Sequence, residues 1–99
     1  MERYEACLAD YEPVLPALAR LLGATFEPGS FAAAEDRFHA RALASEDWRL
    51  EGPAGRLVVR FEQYEGYYFA TFEAAGATFE AGRALLGRAK VAQGGRPDA

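Results

Sequence analysis

The sequence predicts an α+β domain. It reads as helices on the N-terminal side, a three-stranded antiparallel meander over about 48–74, and a closing helix over about 78–93. Two observations carry this. The stretch WRLEGPAGRLVVRFEQYEGYYFATFEA alternates apolar and polar residues and is punctuated by turns containing Gly. The segments flanking it change to the three-and-four spacing of a buried helix face. The 99 residues make one domain, assigned to 1–93, with GGRPDA at 94–99 as a frayed tail.

Residues 2–9 are read as a short helical turn or two. DYEPVLPALARLLG is a clearer helix starting near residue 13, because Pro13 and Pro16 then fall in a first turn whose N–H groups have no intrahelical partner. Val14, Leu15, Leu18, Leu21 and Leu22 mark its buried face, and Gly23 is its C-terminal stop. SFAAAEDRFHARALASED fits a helix over about 31–44 capped by Ser30, or a strand with Phe38, Ala40 and Ala42 on one face. Its run of Ala, Glu, Arg and Leu favours the helix.

The meander has a testable register. Gly52-Pro53-Ala54-Gly55 closes the first turn, and Glu65-Gly66 is read as a two-residue hairpin loop. That loop pairs Tyr64 with Tyr67, Phe61 with Ala70 and Val59 with Phe72. Trp48, Leu50, Leu57, Val59, Phe61, Tyr68, Ala70 and Phe72 then share one face, which pins the register against slippage. After AAG the period changes: Thr78 is read as an N-cap, Glu80 falls in the first turn, and Phe79, Gly82, Leu85, Leu86 and Ala89 form a buried stripe. The interior glycines Gly82 and Gly87 are explained either by close approach of another backbone or by drift at tolerant surface positions.

The word ATFE occurs three times, at 24–27, 70–73 and 77–80, and contains every threonine of the chain. The three copies fall in a connector whose Phe26 tucks onto the core, at a strand end, and at a helix start. One word in three environments is not a repeat unit.

Composition excludes several classes of function. A formal net charge of −4 argues against nucleic-acid binding through bulk charge. No apolar run approaches the roughly 20 residues that span a bilayer. The charged start MERYEACLAD is unlike a signal peptide, so the expected location is cytoplasmic. The single cysteine, Cys7, permits no intrachain disulfide. Ten Arg against one Lys, abundant Ala, and the absence of Ile and Asn point to a GC-rich bacterial genome.

Catalytic and metal chemistry find little support. One His and one Cys do not make a standard zinc site. Glu35, Asp36 and His39 fit a solvated, salt-bridging helix face. Cys7 has His39 as its sole possible imidazole partner and reads as an ordinary, partly buried cysteine. No nucleophile-elbow, P-loop or dinucleotide motif is present. The expectation is a non-enzyme with no cofactor and no bound metal.

The outward sheet face is richer. On the register above it carries Arg49, Val58, Arg60, Glu62, Tyr64, Tyr67, Phe69, Thr71 and Glu73. An ordinary solvated face would be more fully polar. Aromatics beside Arg are typical of interface hot spots, so Arg60, Glu62, Tyr64, Tyr67 and Phe69 are the candidate partner-binding residues. Cover by residues 31–44, or a ligand, are the competing explanations. The strand YYFATFE, aromatic and nearly uncharged, would also make an exposed edge that invites pairing with a second copy.

LEGPAGRLVVRFEQYEGYYFATFEAAGATFEAGRALLGRA, residues 50–89, resembles the C-terminal half of the Roadblock/LC7 family, which includes MglB-like regulators of small GTPases. Glu51-Gly52, Gly55-Arg56-Leu57, Gly66-Tyr67 and Arg83 to Arg88 carry the likeness. The family's glycine near the start of the last helix is Glu80 here, and its first helix and hairpin have no counterpart before residue 45. The resemblance implies a non-enzymatic homodimer that regulates or scaffolds a partner such as a small GTPase. The overall expectation is a small interaction module that self-associates through its sheet edge or its aromatic outer face. The alternative is a small-molecule-binding protein or enzyme with a pocket between sheet and helices, using Glu62, Arg60 or His39.

Overall fold

The computed structural model describes residues 1–8, 14–40, 45–62 and 68–89. These residues form an α+β fold with four strands among them: β1 (Glu2–Leu8), β2 (Ser45–Gly52), β3 (Gly55–Glu62) and β4 (Tyr68–Ala74). They form one antiparallel sheet in the order β1-β4-β3-β2. The helices are α1 (Leu15–Leu22), α2 (Ser30–Ala40) and α3 (Gly76–Ala89). None of them is long and apolar enough to cross a membrane.

β1 corrects the helical reading of residues 2–9. Tyr4 and Ala6 alternate with Arg3, Glu5 and Cys7, and this period-two pattern pairs with β4 from Glu2 opposite Ala74 to Leu8 opposite Tyr68. The meander is therefore three strands of a four-stranded sheet. β4 is not an edge: β1 covers one side of it and β3 the other. The physical logic is consistent, since the nearly uncharged strand is interior and the charge-rich β1 and β2 form the edges.

The β2–β3 turn is as expected, with Gly52 opposite Gly55 and Trp48 and Leu50 opposite Val59 and Leu57. The β3–β4 register is corrected by two residues. Val59 faces Ala70 and Leu57 faces Phe72, where the two-residue loop required Phe61 and Val59 in those places. A shift of two preserves the pleat, so Leu57, Val59, Phe61, Ala70 and Phe72 keep the inner face and Val58, Arg60, Phe69, Thr71 and Glu73 the outer one. The loop residues themselves, including Glu65 and Gly66, lie outside the described residues.

All three helices pack on one face of the sheet. Leu50, Leu57, Val59, Phe61, Ala70, Phe72 and Trp48 are buried with Leu15, Leu18 and Leu22 of α1, Phe31, Ala34 and Phe38 of α2, and Phe79 and Leu86 of α3. Phe31 meets Trp48 edge-on at 5.1 Å and Phe61 at 5.2 Å, while Phe72 stacks on Phe79 at 6.1 Å. α2 is a helix as read, but residues 41–44 lie outside the described residues. It covers the inner face, not the outer one.

The helix ends follow local chemistry. Pro16 sits in the first turn of α1; Pro13 lies outside the described residues. Gly23, at φ 69°, ends α1 in the left-handed region, with Gly23 N–H donating to Arg20 C=O at 3.3 Å and Ala24 N–H to Ala19 C=O at 2.9 Å. Gly52 lies so close to the Leu22 carbonyl that a Cβ would collide with it. Two predicted caps are corrected. The Ser30 hydroxyl accepts from the Trp48 indole N–H at 3.2 Å, and the Ala33 N–H returns to Gly29 C=O one position earlier. α3 starts at Gly76, with Phe79 N–H donating to Ala75 C=O, so Thr78 is inside the first turn and Glu80 is beyond it.

The ATFE copies occupy the three environments expected. Phe26 of the connector packs edge-on to Trp48 at 6.2 Å; Phe72 is fully buried at the strand end; Phe79 is buried in α3.

Candidate functional site

No described helix covers the outer face of the sheet, and its side chains fall into three rows across the strands. Registry alone assigns them in the order β1, β4, β3, β2. The first row is Cys7, Phe69, Arg60, Asp47; the second is Glu5, Thr71, Val58, Arg49; the third is Arg3, Glu73, Arg56, Glu51. Period-two alternation puts all twelve on the side opposite the core. All of them except Cys7 and Glu51 line a shallow concavity of about 510 Å³.

Within these three rows four arginines stand against four carboxylates, and all of them but Glu51 are tied into ion pairs. Glu73, on an interior strand, accepts from Arg56 Nε at 2.6 Å on one neighbour and lies 3.8 Å from Arg3 Nε on the other. Asp47 accepts from Arg60 Nε at 2.9 Å and from Arg49 at 3.3 Å. Arg3 also meets Glu5 at 3.3 Å. Each exposed pair is worth little alone, ~0–1 kcal/mol. Sharing a carboxylate between two guanidiniums holds several long side chains in place at once. In the middle lie Val58 and Thr71, both half-buried, and Phe69, which is 42% exposed and one of two large exposed hydrophobic residues among those described.

Of the five predicted partner-binding residues, the structure places Arg60 and Phe69 directly opposite each other on this face. Glu62 ends β3 opposite Ser45. Tyr64 and Tyr67 lie outside the described residues. Arg3, Glu5 and Cys7 are absent from the outer face expected from the sequence, because a helical reading of residues 2–9 leaves them out of the sheet. Asp47, Glu51 and Arg56 are absent from it as well, although their odd or even spacing from Arg49 and Val58 already places them outward.

His39 and Arg60 do not converge. His39 is exposed on α2, which packs on the inner face, while Arg60 lies on the outer one. Burial raises the Cys7 thiol pKa, so it is held protonated rather than activated. Among the described residues no group of three or more His, Cys, Asp or Glu side chains could hold a metal ion.

No family model, curated protein or solved structure matches the chain.

Proposed function

We propose that this protein is a non-catalytic interaction module that self-associates through the outer face of its sheet. The observation that carries this reading is the charge pattern of the three rows. Consider a two-fold axis parallel to the strands, between β3 and β4, with two copies face to face. Each row then meets its own reversal. In the third row, the order plus, minus, plus, minus becomes its complement: Arg56 faces Glu73 of the second copy, and Arg3 faces Glu51. In the second row Glu5 faces Arg49 and Thr71 faces Val58. In the first, Arg60 faces the Phe69 ring, a cation–π arrangement.

A face that carries both signs in equal number repels polyanions no less than it attracts them, so it suits a complementary protein surface better than nucleic acid. Its size sets the strength. Four strands by three rows span roughly 20 Å on a side, which places the contact at the small end of protein interfaces. The dimer is accordingly weak, with dissociation in the micromolar range or above. The sheet edge is the lesser route: β1 covers β4, and the exposed edges are charged.

Phe69→Arg tests the reading. The substitution removes the ring and sets a second guanidinium against Arg60, both within the sheet and across the contact, and the expected result is a monomer at every concentration where the wild type associates. Unchanged association would exclude this face. A second reading, a small-molecule site, is favoured by the volume of the concavity, which falls in the ~300–1,000 Å³ range of ligand pockets. It predicts a strict monomer with saturable ligand binding.

A further inference from the structure

A second surface, on the opposite side of the molecule, has a different composition. α1 and α3 pack against each other and leave an open groove of about 530 Å³ between them. α1 contributes Ala17, Arg20 and Leu21, and α3 contributes Ala81, Ala84, Leu85 and Arg88. These residues follow helical i, i+3, i+4 spacing on each side, so each helix presents one continuous stripe. Small residues keep the floor low. Leu21 and Leu85 are only half-buried, and the arginines stand exposed at the rim.

The arginines set the chemistry. Arg3, Arg37, Arg49, Arg56 and Arg60 all meet carboxylates, and Arg83 lies 5.9 Å from the Tyr4 ring centre. Arg20 and Arg88 have no carboxylate partner among the described residues, and both line this groove. In a chain with an excess of acid, two guanidiniums with no carboxylate partner among the described residues, beside one apolar trough, form a local positive site.

We infer that the α1–α3 groove docks an acidic amphipathic helix of a partner protein, its leucine-type face in the trough and its carboxylates on Arg20 and Arg88. A helix is favoured over a small anionic ligand because the groove is open. It cannot enclose most of a small molecule's surface, whereas a helix needs to bury one face alone. Guanidinium pairs with carboxylate in a planar fork, which gives such contacts orientation as well as charge. This inference is independent of self-association through the sheet.

The test uses the full chain and a fluorescein-labelled peptide of about 18 residues, with leucines at i, i+3, i+4, i+7 and glutamates flanking them. A sibling peptide carries lysine at each glutamate position. The expected result is saturable binding of the acidic peptide, with amide shift changes centred on Leu21, Ala84 and Leu85. The lysine peptide and the Arg20→Glu/Arg88→Glu variant should each bind about tenfold more weakly or less. Both positions are exposed, and the peptide comparison on unaltered protein stands even if the variant folds poorly. Equal binding of the two peptides, no binding, or shifts elsewhere would overturn the proposal. So would Arg20- and Arg88-dependent binding of phosphatidylglycerol vesicles without peptide binding, or a monomeric variant where the wild type is dimeric. The first would assign the groove to lipid and the second to another copy.

Discussion

Gly82 and Gly87 stand five positions apart in α3 and should respond in opposite ways to the same substitution. A Cβ at Gly82 would run into the ring of Phe72, which is fully buried and stacked on Phe79. The ring has nowhere to go, so Gly82→Ala should destabilise by about 1–3 kcal/mol. Nothing lies within 4 Å of the same atom at Gly87, which is exposed. There Gly87→Ala should stabilise by about 0.5–1 kcal/mol, because it removes backbone freedom from the unfolded chain. Denaturant titration of both variants checks this; a loss of stability in both would contradict the packing. The sequence offered close approach or drift for the pair. Neither glycine meets another backbone: Gly82 packs on the side chain of Phe72, and Gly87 is exposed with open space around it. Helical spacing already puts Gly82 in the buried stripe and leaves Gly87 out of it, but only the fold shows that the neighbour of Gly82 is the Phe72 ring. Cys7 gives a pH prediction. Its thiol pKa is raised from the ordinary 9.0, so the folded state holds the proton more tightly than the unfolded chain does. The contribution is complete below about pH 9 and is lost as pH rises towards the folded value. Between about pH 8 and pH 10, the wild type should lose more stability in urea than Cys7→Ala. Equal losses would count against the burial of the thiol.

The strands were legible in proportion to how clearly their alternation was bounded by turns. β2 and β3 were read with their faces correct because Gly52-Pro53-Ala54-Gly55 fixes the hairpin between them. The β3–β4 register missed by two because Glu65-Gly66 is a weak turn signal, yet parity kept the inner and outer sets intact. β1 was missed although Tyr4 and Ala6 alternate with Arg3, Glu5 and Cys7; seven residues with no turn beside them compete poorly with helix-forming Glu, Arg and Ala. That omission made β4 look like an exposed edge and hid a quarter of the outer face. Amide exchange tests the corrected order. β4 is hydrogen-bonded on both sides, so its described amides should all be protected, whereas β1 and β2 should show alternating fast and slow amides. Alternation within β4 would return it to the edge of the sheet.

At the scale of the whole molecule, the described residues make a one-sided arrangement. Three helices seal one face of the sheet, and the other carries a neutral lattice of ion pairs around Phe69, Val58 and Thr71. The lattice could not be read whole from the sequence, because Arg3 with Glu73 joins strands far apart in the chain and Arg56 with Glu73 needs the β3–β4 register that Glu65-Gly66 does not fix. The self-complementary rows give the reading its most demanding consequence. Arg56→Glu sets like charges together within each sheet and across the two-fold contact. The added exchange Glu73→Arg restores both relations between positions 56 and 73, within the sheet and between copies; Arg3 loses Glu73 but keeps Glu5 beside it and Glu51 opposite it across the contact.

The decisive measurement is light scattering coupled to size exclusion, from about 1 μM to about 1 mM protein, a range set by the small contact area. The account predicts a concentration-dependent dimer in the wild type, loss of the dimer in Arg56→Glu, and its return in Arg56→Glu/Glu73→Arg. A wild type that remains monomeric throughout, or a dimer indifferent to the charge exchange, would contradict it.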